Sequence, residues 1–351
     1  MKARAQEADE GANRRQPARD SSDAPDAPPS LKRRAWTAVR RFGPWVLSLV
    51  VLALIISRIR TIEWPAVWQA LLAQPPGGLA IAVALGLLSY LTFSSYDLIG
   101  RRVTGHGVPV WRTLRIAAVC YAFNLNFGSL VGALAMKLRM YGRAGLETAT
   151  TLRVIGLSVL TNWLGYLALG AAVLLVAPPP LPNDWPQQEA FTRVLGAAMA
   201  VPVVAYLVWC ARGRESARTL TWRGHALTLP GARLALWQVV TASANWALMG
   251  AIVWVLLPQQ VAFPTALGVL LIAAIAGVAT HVPAGLGVIE AVFLVCLQGQ
   301  VAQGPLLAAL LAYRASYYLL PLIFALIGFA VHERGGEDRA GAMAGKGAGA
   351  A

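Results

Sequence analysis

Charge is scarce in this chain of 351 residues: Asp, Glu, Lys and Arg make up 13 % of it, against about 25 % in an ordinary soluble domain. Acidic groups are the rarer kind, 16 against 30 basic ones. Cysteine is nearly missing. Cys120, Cys210 and Cys296 each stand inside an apolar run with no CxxC spacing, which argues against a disulfide framework and a thiolate metal site. The four histidines show no ligand spacing, so neither metal nor cofactor is expected. There is no Walker motif, no zinc-binding His/Glu pair and no nucleophile beside a base, so the chain does not read as an enzyme or as an ATP-driven pump on its own. What fills the composition instead is apolar: 57 % hydrophobic residues and a mean hydropathy of +0.57. That is the balance of a protein dissolved in a bilayer.

The two ends differ from the middle. Residues 1–41 hold the run Ala24-Pro25-Asp26-Ala27-Pro28-Pro29 and too little apolar surface to fold; they read as a disordered basic tail. Residues 332–351 are rich in Gly and Ala and read the same way. Between them, 42–331 form one polytopic membrane domain with apolar stretches at 42–57, 79–97, 114–136, 154–176, 194–210, 235–256, 264–299 and 305–331. A helical span needs about 20 such residues. Two stretches are interrupted, one at Asn124-Leu125-Asn126-Phe127-Gly128 and Gly132, the other at His281-Val282-Pro283-Ala284-Gly285-Leu286-Gly287. Thr61–Leu72 places Ile62, Trp64, Val67, Trp68 and Leu71 near helical spacing and predicts an amphipathic surface helix.

The placement of basic residues decides how the interrupted stretches run, because short cytoplasmic loops concentrate Lys and Arg. The N-terminal flank and loops 98–115, 137–153 and 211–233 are basic, whereas 177–191, 257–263 and 298–304 carry no basic residue. The first interrupted stretch therefore joins two basic loops and reads as a re-entrant hairpin from the cytoplasm. The second joins two uncharged loops and reads as a re-entrant hairpin from outside. Six full spans then put both termini in the cytoplasm, and every basic residue except Arg58, Arg60, Arg193 and Arg314 falls on that side. The net charge of +14 is thus mostly topology, and nucleic acid is not an expected partner. The second half repeats the order of the first upside down, the inverted repeat found in secondary transporters; the alternative reading is that short amphipathic helices pack at the interface or that all eight stretches span.

Ionisable groups at membrane depth usually face a cavity. Arg314 lies about 13–14 Å along the last span from Pro305 at 1.5 Å per residue; it either binds a lipid phosphate or pairs with Glu290. Glu290 starts the return helix of the outer hairpin, where the helix N-terminus favours a carboxylate. Gly285 and Gly287 bring backbone N–H groups near an anion or merely turn the chain. Lys137, Arg139 and Tyr141 are expected at headgroup level as phosphate ligands or as plain topological anchors. Asn124, Asn126 and Asn162 line a polar path or bond between helices. Gln238, Thr241 and Asn245 share one helical face, expected to point into the bundle. Gly128 and Gly132 match the GxxxG packing pattern.

Ser94-Ser95-Tyr96-Asp97, Tyr121-Ala122-Phe123-Asn124, Lys137-Leu138-Arg139-Met140-Tyr141 with Gly145, Pro283-Ala284-Gly285-Leu286-Gly287-Val288-Ile289-Glu290, and Tyr313-Arg314 with Tyr317-Tyr318 and Pro321 stand in this order. Over about 40–331 the chain resembles the transmembrane domain of lysylphosphatidylglycerol synthase and the wider group of flippase-like membrane proteins that share it. The resemblance implies a lipid-translocating scaffold without the synthase's cytosolic aminoacyltransferase domain. Its cargo would be a phospholipid, aminoacyl lipid, glycolipid or polyprenyl-type lipid of a bacterial inner membrane. The phosphate ligands would be Arg139 and Arg314, and Glu290 would meet a cationic group or Arg314. The competing expectation is a non-transporting membrane partner of a lipid-modifying enzyme.

Overall fold

The computed structural model describes residues 64–129, 134–179, 188–212, 219–222, 225–228, 230–258, 260–280 and 282–327. The two expected tails, the expected span at 42–57 and Gly132 lie outside the described residues. The rest is a polytopic helical membrane protein. Among the described residues, six helices are long and apolar enough to cross a bilayer: Pro76–Thr104, Thr148–Val176, Glu189–Arg212, Ala232–Leu256, Phe263–Thr280 and Gln303–Ile327. Five of these coincide with expected spans. The sixth is the first arm of the expected outer hairpin.

In chain order, a short surface helix α1 (Trp64–Leu72) precedes α2 (Pro76–Thr104), α3 (Val110–Phe127), α4 (Lys137–Arg143) and α5 (Thr148–Val176). The second half holds α6 (Gln188–Arg212), α7 (Ala232–Leu256), α8 (Phe263–Thr280), α9 (Val288–Cys296) and α10, which begins at Gln303. Loop 211–233 also carries a two-stranded antiparallel ribbon, β1 (Thr219–Trp222) and β2 (His225–Thr228), which the sequence pattern does not anticipate. Helix α2 starts with proline at its first positions and stops at Gly105, whose φ of 67° lets its N–H reach back to the Arg101 carbonyl. Arg101 and Arg102 sit in that last turn, where cations complement the helix dipole. Helix α1 buries only Val67, and its exposed stripe Trp64, Trp68 and Leu72 recurs every fourth residue, as suits a helix resting in a membrane interface.

Both interrupted stretches are helix, break, short helix. In the first, α3 ends where Gly128 takes φ 85°, and residues 134–136 form a wider π-turn leading into α4. In the second, α8 and α9 are separated by Pro283–Gly285 and Gly287. The arms are unequal: α8 has 18 residues, or about 27 Å, and α9 has nine. Helix α3, which leads into the first break, packs on the Pro283–Gly285 turn of the second.

The packing of one half recurs in the other. Helix α2 touches α3 and α5 as α7 touches α8 and α10, and α4 packs on α3 and α5 as α9 packs on α8 and α10. Helices α2 and α7 lie against each other at the centre. They are antiparallel: Gln74, just before α2, donates to the carbonyl of Leu256 at the end of α7 (3.2 Å), while midway along, Ser89 donates to Asn245 at 2.7 Å. Ser89 and Asn245 are 156 residues apart. An antiparallel contact between the corresponding helices of the two halves is compatible with an inverted repeat.

Close approach at one glycine secures the bundle. A Cβ on Gly165 would lie 2.3 Å from Ala242 Cβ and 2.6 Å from Ser243 N, both on α7. Small residues let membrane helices approach this closely. Gly165→Ala is expected to destabilise the protein by about 1–3 kcal/mol through overpacking, seen as a lower melting temperature in detergent. Gly156→Ala, which meets nothing within 4 Å, is the matched control and should leave it unchanged.

Candidate functional site

The 16 acidic residues supply only two to the apolar stretches, Asp97 and Glu290. Each is the centre of a buried cluster.

Arg314, on α10, donates twice to Glu290, from Nε to Oε1 at 2.5 Å and from Nη2 to Oε2 at 2.9 Å. Its remaining reach goes to the break: Nη1 donates to the Ala284 carbonyl (3.0 Å) and Nη2 to that of Gly285 (2.9 Å). The Tyr318 ring lies 5.5 Å from the guanidinium carbon, a cation–π contact. Of the two roles open to Arg314 from sequence, the pairing with Glu290 is what this geometry displays. Ala284 takes φ 56°, the single non-glycine residue with positive φ among the described residues. That conformation costs roughly 1–2 kcal/mol for a residue with a Cβ, and the guanidinium holds it in place. The anion reading of the glycine pair changes here. Gly285 N–H is used within the turn by the Val282 carbonyl, and the turn offers carbonyl oxygens to a cation. Gly285 and Gly287, at φ 56° and 75°, therefore shape the break and seat Arg314.

Lys137 and Tyr141 lie one turn apart on α4 and so share a face, but that face is turned inward rather than to the headgroups. Lys137 is 3 % exposed and its Nζ meets Asp97 Oδ1 at 2.5 Å. Tyr141 OH donates to Asp97 Oδ2 (2.8 Å), and Ser158 of α5 donates to Asp97 Oδ1 (2.7 Å). Asp97 on α2 is thus a fully buried carboxylate with three donors, from α4 and α5. Arg139, two residues on from Lys137, is on the exposed face of the same short helix. Beside this cluster His106 accepts from Val108 N–H at Nδ1 and sets its ring edge toward Tyr141 at 5.9 Å. Burial, reinforced by the Arg101 cation, lowers its pKa.

A neutral knot stands between the charged clusters. Ser89 gives its proton to the Asn245 carbonyl, so Tyr317 OH donates to Ser89 (2.7 Å) and Tyr121 OH to Tyr317 (2.8 Å). One directed chain of hydrogen bonds therefore ties α3, α10, α2 and α7. Phe93 stacks on Tyr121 at 3.6 Å, and Asn126 donates to the Tyr318 carbonyl at 3.1 Å. Asn126 thus bonds between helices next to Arg314. Gln238, Thr241 and Asn245 are buried as expected, with Gln238 donating to Thr161 at 2.7 Å.

The structure thus gathers Glu290, Arg314, Gly285 and Asn126 about the second break, and Lys137 and Tyr141 about Asp97. Asp97, Ser158, Ser89 and Tyr317 are not among the site residues expected from sequence. The isolation of Asp97 among apolar neighbours is a usable signal, and Tyr317 stands in the motif that follows Tyr313-Arg314; Ser89 and Ser158 carry none.

Over residues 45–325 the chain matches the family described as Lysylphosphatidylglycerol synthase TM region. It is 38 % identical over 293 residues to the inner membrane protein YbhN of Escherichia coli, covering 83 % of this chain and 92 % of that one. It is 28 % identical over 295 residues to an uncharacterised protein of Synechocystis, covering 82 % and 91 %. A phosphatidylglycerol lysyltransferase of Staphylococcus haemolyticus is 22 % identical over 307 residues, which are 85 % of this chain and 34 % of that enzyme. With the broken helices, the Tyr-Arg motif and the match over most of its length, this multi-pass membrane protein belongs to the lysylphosphatidylglycerol synthase transmembrane-region family.

Proposed function

We propose that the protein moves an amphiphilic lipid between the leaflets of a bacterial inner membrane, with both termini in the cytoplasm and without catalysing a covalent step. The observation that carries this reading is the Arg314–Glu290 pair, a bidentate ion pair held at the strained break of a membrane helix. A guanidinium in that place is suited to receive a lipid phosphate in two parallel hydrogen bonds once Glu290 swings aside. Arg139, exposed on α4, is the matching first contact on the basic side. The antiparallel relation of α2 and α7 supports alternating exposure by rocking of two inverted halves. The relatives supply the lipid context: the family's description and the Staphylococcus enzyme's name both refer to phosphatidylglycerol.

The test is reconstitution in liposomes containing headgroup-labelled phospholipids, followed by a quencher confined to the outside. The expected result is loss of inner-leaflet label faster than in empty liposomes for at least one headgroup, and its collapse in Arg314→Ala. Rates equal to empty liposomes for every phospholipid and glycolipid tried would reject translocation and favour a partner of a lipid-modifying enzyme.

A further inference from the structure

We propose that the two buried ion pairs are matched latches of opposite sign, one closing each face of the protein, and that they open in alternation; this rests on the translocation reading above.

Their short-helix members are placed alike in the two halves, while their partners stand on helices that do not correspond, Asp97 on α2 and Arg314 on α10. Lys137 and Glu290 each belong to the first turn of the short helix that follows a break. Each is tied to longer helices of its own half, Lys137 with Ser158 to Asp97, and Glu290 to Arg314. Ser158 and Arg314 are separated in sequence by the same interval as the bonded pair Ser89 and Asn245. The charges are exchanged: the short helix carries the cation in the first half and the anion in the second.

Their depths differ in the way two gates require. From Asp97 to the basic end of α2 at Thr104 is about 10 Å, and from Arg314 to the opposite end of α10 at Gln303 is about 16 Å at 1.5 Å per residue. The Ser89–Asn245–Tyr317 knot lies between them, joining the inner helices of both halves. Irregular backbone adjoins each pair: the π-turn at 134–136 immediately before Lys137, and the π-helical segment Ala315–Leu319 immediately after Arg314. Such π-turns are frequent at functional sites within helices.

The energetics favour one open latch at a time. Closed, Asp97 is satisfied by three donors, and Arg314 by four hydrogen bonds to three acceptor groups. Opening either leaves charges that only water or a headgroup entering from that face can solvate. Opening both would remove both barriers and leave four charges uncompensated. With the two halves joined at the Ser89–Asn245–Tyr317 knot, a rigid tilt of one half on the other would raise one short helix while pressing down its counterpart.

Two native cysteines report the two latches. Cys120, fully buried on α3, lies 3.9 Å from the Met140 sulfur of α4, and Cys296 ends α9. With Cys210→Ala and one reporter removed at a time, the full chain in liposomes is labelled with a maleimide. Lys137→Met should raise Cys120 labelling several-fold and lower that of Cys296; Glu290→Gln should do the reverse. Labelling of both cysteines in the same direction, or no change at either, would overturn the latches. The exchanged pair Asp97→Lys with Lys137→Asp should return Cys120 toward the parent rate; the two single variants decide the matter if that double variant does not fold. Lipid movement without reciprocal labelling overturns the latches alone, whereas reciprocal labelling in a protein that moves no lipid overturns the transport reading alone.

Discussion

Asp97→Ala is expected to destabilise the protein more than any other single change, by at least about 3–5 kcal/mol, the usual consequence of removing one partner of a buried ion pair. The reason is the number of groups that depend on this carboxylate. Lys137, 3 % exposed, loses its counter-ion, and Tyr141 and Ser158 lose their acceptors together. Each orphaned buried donor adds its own desolvation cost of about 1–3 kcal/mol. The three donors come from α4 and α5, so α4 also loses its anchor to α2. Asp97→Asn keeps the shape and one acceptor but leaves Lys137 uncompensated, and should be intermediate. Lys137→Met should be mildest, because Asp97 then still receives two hydrogen bonds. Melting temperature in detergent, followed by retention of a monodisperse peak on heating, checks that order. A midpoint for Asp97→Ala within a degree or two of the parent would contradict it.

Arg314→Ala should abolish lipid movement, a loss of at least about a hundredfold given that each 1.4 kcal/mol is a factor of ten. It removes the phosphate ligand and at the same time the support of the break. Glu290 loses both hydrogen bonds, the Ala284 and Gly285 carbonyls lose their donor, and nothing restrains Ala284 at positive φ. Arg314→Lys keeps the charge, but an ammonium is a point donor and does not span Glu290 and two carbonyls at once; it should fold nearly normally and move lipid at least about tenfold more slowly. The decisive comparison is the double change Arg314→Met with Glu290→Met. Apolar replacement of a buried pair is often neutral or stabilising by about 1–4 kcal/mol, so this protein should recover thermal stability without recovering transport. Recovery of both would make the pair a structural staple only.

The pairing of Arg314 with Glu290 is legible in the sequence because few charges lie at depth, and the motif order places both beside a Gly/Pro break. Lys137 and Tyr141 are legible as a pair but not in their direction. Adjacent to Arg139 in a basic segment, they match the pattern of headgroup anchors, and periodicity alone does not tell a seven-residue helix which face it turns inward. Asp97 settles that, since it lies 40 residues from Lys137 and local sequence says nothing about so distant a partner. The Gly285–Gly287 turn is recognisable as a turn, while whether N–H or C=O groups face the site depends on backbone angles that glycine leaves open.

By itself, then, the sequence determined that this is a multi-pass membrane protein with two interrupted segments, because the need to satisfy every backbone group in lipid allows little besides long apolar helices broken where protein covers the break. Loop charge set the expectation of an inverted order for the same reason that it orients helices. Only the tertiary structure decided what the rare polar residues are for. It made Asp97 the hub of a buried cluster, turned the glycine turn's carbonyls toward Arg314, and joined Ser89, Asn245, Tyr121 and Tyr317 between helices of both halves. Those choices depend on which helices meet at which level, and the contact between Ser89 and Asn245, 156 residues apart, is set by packing across the whole bundle.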